Sequence, residues 1–117
     1  MNQRDRIIIE KIIIYCERIY EYLSSYQFER EVFMNTSILQ DACAMCLVQI
    51  GELSSLLSEE IKQKTSHIPW RIIKDTRNFY VHNYGAVDLE SFWIALNEDV
   101  PILKQQCREF LQKDAVH

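Results

Sequence analysis

The chain has 117 residues, 48% of them hydrophobic, and a net charge of −4. That length is one domain with enough apolar residues for a core, and the acid excess excludes a generic nucleic-acid coat. Only two glycines and two prolines occur, which argues against β-sandwiches and excludes the glycine-rich fingerprints that cradle phosphates. Residues 1–117 are therefore expected to form a single all-α domain, an antiparallel bundle of four main helices.

The first helix is expected from about Arg4 to Ser24. Ile8, Ile12, Tyr15, Ile19 and Tyr22 make one apolar stripe. Ile9, Ile13, Cys16, Tyr20 and Leu23 make a second beside it. One stripe suffices for a helix on a monomeric bundle, so two imply burial on both sides and make a second subunit plausible. Residues 25–35 read as a polar loop or short turn. Asn35 or Thr36 then caps a second helix running to about Lys64. Gly51 inside it marks close helix approach, since glycine otherwise costs about 1 kcal/mol there. Glu52 beside it reads as solvated.

Pro69 suits a helix first turn, where its missing N–H is no loss. The third helix carries Trp70, Ile73, Arg77, Asn78, Val81 and His82, and Gly85 stops it. Asp88 caps a last helix with Phe92, Trp93 and Leu96 inward, broken near Pro101 and continuing through Leu103, Cys107 and Leu111. Trp70 and Trp93 read as core residues.

Arg4 and Arg6 are followed by only three isoleucines before Glu10 and Lys11, too short for a secretory leader. No run approaches the ~18 apolar residues of a membrane span. A cytoplasmic protein with reduced thiols is expected. Cys43-x-x-Cys46 has no second pair and no well-spaced histidine, so Cys16, Cys43, Cys46 and Cys107 read as small buried apolar side chains. No metal site and no cofactor are expected.

Charge is uneven. Residues 62–84 hold Lys62, Lys64, Arg71, Lys74 and Arg77 against Asp75 alone, a local +4 in a chain of −4. This is either a solvated helix face or an anion-binding surface. Within it lies Arg77-Asn78-Phe79-Tyr80-Val81-His82-Asn83-Tyr84, the densest chemistry in the sequence. Arginine can hold a phosphate, histidine can move a proton near neutral pH, and tyrosine can donate a hydrogen bond or accept a modification. Taken singly, Arg77 reads as well as a salt-bridge partner, and His82 as a residue favoured by the helix dipole. Arg77 and His82, five positions apart, fall about 140° apart on a straight helix. Asn78 and His82 share a face, and Arg77 nearly aligns with Tyr84. The segment thus reads as half of a site, completed by a second copy across a two-fold axis.

The pattern Arg77-x4-His82-x-Tyr84 resembles the signature of HepT toxins of the HEPN ribonuclease superfamily. Ile50-Gly51-Glu52, Ile68-Pro69-Trp70, Val87-Asp88 and Trp93 extend the likeness over roughly residues 5–112. The resemblance implies a helical bundle that forms a homodimer. It also implies a metal-independent endoribonuclease that cleaves RNA by attack of the 2′-OH. Arg77 and His82 would be catalytic and Asn78 supporting. The implied partner is an MntA-like nucleotidyltransferase antitoxin, and Tyr84 is the implied acceptor of AMP, with Tyr80 as a competing position. The alternative is a non-catalytic helical partner, or substrate-binding subunit, of a small nucleotidyltransferase.

Overall fold

The structure, a computed structural model, describes residues 1–70, 73 and 88–116. No strand occurs among the described residues. Helix α1 spans Gln3–Ser25. The Asn2 side chain accepts the Asp5 amide at 2.7 Å, satisfying one of the free donors at its start. Ile8, Ile9, Ile12, Ile13, Cys16, Ile19 and Leu23 are all buried. α1 lies against α3 (Ser37–Ser55) and against the long C-terminal helix of the same chain. Both expected stripes are therefore covered within one chain, and Tyr20 of the second stripe stays 55% exposed. The two-sided helix gives no separate support for a second subunit.

The stretch expected as a loop holds a five-residue helix, α2 (Arg30–Met34). It is too short to show a stripe, yet it carries Phe33, fully buried. The Phe33 ring packs edge-on to Phe92 at 5.4 Å and tilted on Trp93 at 5.3 Å between centroids. Thr36 occupies the cap position of α3, but its hydroxyl donates to the Val32 carbonyl at 2.6 Å and caps nothing.

The helix expected to reach Lys64 stops at Ser55. A separate helix, α4, spans Glu59–Lys64. Near the break the Ser54 and Ser55 hydroxyls bond back to the Gly51 and Glu52 carbonyls at 2.8 and 2.7 Å. Ser58 then caps α4 through the Ile61 amide. Glu59 and Glu60 fill the first turn and Lys62 and Lys64 the last, the charge order the helix dipole favours. Ser58 is also a tie point: its amide and hydroxyl donate to the buried Asp5 carboxylate at 3.0 and 2.7 Å. Gly51 is buried in α3, which packs on α1, and Glu52 is exposed.

After residue 88 the chain is helical to Val116. α5 covers Leu89–Ile94, a π-helical stretch covers Ala95–Asp99, and α6 covers Val100–Val116. The interruption expected near Pro101 takes the form of this wider turn. Proline has no N–H and crowds the preceding turn, and looser winding just before it relieves both without ending the helix. α6 runs antiparallel to α1. Arg6 meets Asp114 at 3.0 Å at one end, and Arg108 meets Glu17 at 3.1 Å further along.

Candidate functional site

Arg77, Asn78, His82 and Tyr84 lie outside the described residues, as do Arg71, Lys74, Tyr80 and Gly85. The structure does describe both flanks of the motif segment.

The N-terminal flank is a turn anchored by buried residues. Thr65 is fully buried, and its hydroxyl donates to the Ile61 carbonyl at 2.6 Å while accepting the Trp70 indole N–H at 2.8 Å. Ile68 and Trp70 are buried, and Pro69 is exposed. The Ile73 amide donates to the Pro69 carbonyl at 3.1 Å, one helical turn's bond. An indole N–H satisfied inside the core fixes the plane of a large ring, so Trp70 is an anchor and not a stacking platform. Its partner Thr65 carries no sequence signal. A threonine after Lys64 looks like any loop residue until the fold brings Trp70 over it.

At the other flank the Asp88 side chain accepts the Glu90 amide at 3.0 Å and the Ser91 hydroxyl at 2.9 Å, as expected of a cap. The Ser91 hydroxyl and then the Glu90 amide hold the Asp88 carboxyl below its ordinary pKa, because both bond the charged form. Arg30 of α2 bonds Glu90 through Nε at 2.9 Å, tying this flank to the α2–α5 pair. Phe92 is buried and Trp93 half-buried on Phe33.

Of the basic run, Lys62 and Lys64 are described. Each faces an acid one turn back, Glu59 at 3.9 Å and Glu60 at 3.2 Å. For these two the solvated-face reading holds, since such exposed pairs are worth a few tenths of a kcal/mol at most. His67 sits exposed in the turn. It edges a largely apolar groove of about 500 Å³ that Leu47, Ile50, Ile73 and Leu103 also line.

Among the described residues no three His, Cys, Asp or Glu side chains converge as metal ligands. The four cysteines are free and buried. Burial pushes the Cys16, Cys43 and Cys107 thiols up to about 12, and raises Cys46 as well. Cys43 and Cys46 lie in the hydrophobic core, where a thiol packs as a small apolar side chain. No helix among the described residues is long and apolar enough to cross a membrane.

The family model for HepT-like ribonucleases matches residues 12–110, which include the whole segment Arg77–Tyr84 and both flanks. The chain belongs to the HepT-like ribonuclease family. It is 31% identical over 109 residues to a candidate RNase of Caldanaerobacter subterraneus subsp. tengcongensis, covering 93% of this chain and 96% of that one. It is equally 31% identical over 104 residues to a candidate ribonuclease HepT of Thermococcus cleftensis, covering 89% and 93%. A candidate RNase of Methanocaldococcus jannaschii is 25% identical over 113 residues, covering 96% and 92%. No solved structure gives a significant match. In this HepT-like chain the described flanks stand on either side of residues 77–84 in the sequence.

Proposed function

We propose that this chain is the toxin of a toxin–antitoxin pair, a metal-independent endoribonuclease with Arg77 and His82 as catalytic residues. The supporting observation is that the HepT-like match, residues 12–110, spans Arg77-x4-His82-x-Tyr84. The chemistry these residues offer fits RNA. The 2′-oxygen attacks the adjacent phosphorus, a P–O2′ bond forms and the P–O5′ bond breaks. The products are a 2′,3′-cyclic phosphate and a 5′-hydroxyl. A proton leaves the 2′-OH and a proton reaches O5′, so one base and one acid are needed. His82 serves in these roles, and two copies of the chain supply one histidine for each. Arg77 stabilises the charge that gathers on the phosphoryl oxygens. Asn78, one turn before His82, orients the site or bonds a phosphate oxygen.

Tyr84 is the switch on this site in our reading. Transfer of AMP to its hydroxyl by a nucleotidyltransferase antitoxin adds bulk and negative charge near Arg77, which repels the RNA backbone. The test is paired expression in cells. The wild-type chain alone should arrest growth with RNA decay, and His82→Ala or Arg77→Ala should not. A small nucleotidyltransferase should relieve the arrest and add the mass of one AMP to the peptide bearing Tyr84. Undiminished toxicity of His82→Ala contradicts the assignment. Relief of toxicity with no modified tyrosine contradicts the switch.

A further inference from the structure

α1 ends in a turn made without glycine. The Gln27 amide reaches the Ser24 carbonyl and the Phe28 amide the Leu23 carbonyl, both at 2.9 Å. This is the bonding of a Schellman stop, where glycine usually takes the left-handed position. Here Gln27 and Phe28 both hold positive φ, 57° and 55°. A bulky aromatic in that region carries backbone strain, and strained residues cluster where function holds them. The stop alone accounts for Phe28 lying back on the last turn of α1. It does not account for a ring left 40% exposed beside Tyr20, itself 55% exposed.

The two rings stand 5.2 Å apart and 58° out of parallel. They wall a notch of about 240 Å³ between α1 and the start of α6, floored by Leu96 and Val100 and edged by Asn97 and Lys104. Lys104 Nζ lies 5.3 Å from the Tyr20 ring centroid and forms no ion pair among the described residues. The next cation along α6, Arg108, is matched by Glu17. Asn97 belongs to the π-helical stretch, a form of turn often found at functional sites. Its amide nitrogen is used on the Trp93 carbonyl at 2.9 Å, which leaves the amide oxygen for an outside donor.

This combination has one natural ligand class. Exposed aromatic surface at the mouth of a notch takes a planar ring whatever its identity. The notch is smaller than the ~300–1,000 Å³ of ordinary small-molecule pockets, a size for a single ring system. A cation at the rim suits the phosphate attached to such a ring. We propose that the notch formed by Tyr20, Phe28, Asn97 and Lys104 holds one unstacked base of the single-stranded RNA substrate, with Lys104 on its phosphate. The identity of the ligand rests on the ribonuclease reading; the notch itself is built from residues other than those of the motif.

The test is binding of the full chain to a fluorescent single-stranded 2′-O-methyl oligonucleotide, whose blocked 2′-oxygen cannot attack. Anisotropy is read across a salt series. Tyr20→Ala should weaken binding by about 5- to 150-fold, the range for loss of one stacked base. Tyr20→Phe keeps the ring and should stay within about two-fold of wild type. Phe28→Gly relieves the backbone strain, so its loss of affinity is read on a folded chain. Lys104→Gln should lower the slope of log affinity against log salt by about 1. Wild-type affinity in both Tyr20→Ala and Phe28→Gly overturns the notch and leaves the ribonuclease reading intact. A wild-type chain that neither binds the oligonucleotide nor cleaves RNA overturns both.

Discussion

Replacing Asp5 by alanine should destabilise the fold by about 2–4 kcal/mol, because it removes two charge-assisted hydrogen bonds, each worth ~1.5–3 kcal/mol, and some recovery is available to Ser58. The Asp5 side chain is 1% exposed and joins the first turn of α1 to the cap of α4 through the Ser58 amide and hydroxyl. The Ser58 hydroxyl can turn to other acceptors, but its amide is left without a partner. At roughly 4 °C per kcal/mol for a chain of this size, the melting temperature should fall by ~8–16 °C. The pH dependence follows from the carboxyl. Burial pushes its pKa up, the two bonds from Ser58 outweigh burial, and the net direction is down. A depressed folded-state pKa contributes stability that is present above the unfolded value of ~3.9 and is lost as pH falls through the folded value. The gap between wild type and Asp5→Ala should therefore be constant between about pH 5 and 8 and should narrow below about pH 4. Thermal and urea unfolding followed by circular dichroism across that range measures it. A gap under ~0.5 kcal/mol at neutral pH, within the range of an ordinary surface change, would refute the tie. So would a gap that fails to narrow in acid.

Phe33→Ala should cost about 3–5 kcal/mol, as a fully buried ring in contact with Phe92 and Trp93, and Phe33→Leu clearly less; calorimetry checks both, and a loss typical of a loop residue contradicts the packing. Native protein at pH 8 should show almost no reaction with a chromogenic disulfide reagent, because the Cys16, Cys43 and Cys107 thiols titrate at about 12 and Cys46 is raised too. All four should react in urea, and one fast thiol in the folded chain contradicts the burial.

The long elements were legible because their signals are periodic. α1 shows its stripes over 23 residues, and the bounds expected for it are each within one residue of those observed. The cap at Asp88 was legible because an aspartate ahead of an apolar run has few other roles. What escaped was short or non-local. α2 has five residues, less than two turns, so Phe33 could declare itself only through Phe92 and Trp93 some sixty positions away. The break at residues 56–58 did have a local mark, since Ser58-Glu59-Glu60 is a helix start. The apolar run Leu53, Leu56 and Leu57 masked it. The second stripe of α1 is buried at Ile9, Ile13, Cys16 and Leu23 but not at Tyr20, and periodicity says nothing of what does the burying, where α6 of the same chain packs on α1. The segment Arg77-x4-His82-x-Tyr84 stood out by its residue types and led to the family, though it lies outside the described residues, whereas the anchors before it in sequence were half visible. Trp70 stood out, and Thr65 became meaningful only with the indole N–H above it.

The central claim is that this HepT-like chain cleaves RNA through its own motif. Purified wild-type and His82→Ala protein, incubated with total RNA in excess chelator, test it most directly through the chemistry of the new ends. Wild type should leave 2′,3′-cyclic phosphates and 5′-hydroxyls, and His82→Ala should leave the RNA intact. Cleavage that requires a divalent metal, or equal cleavage by His82→Ala, would contradict the account.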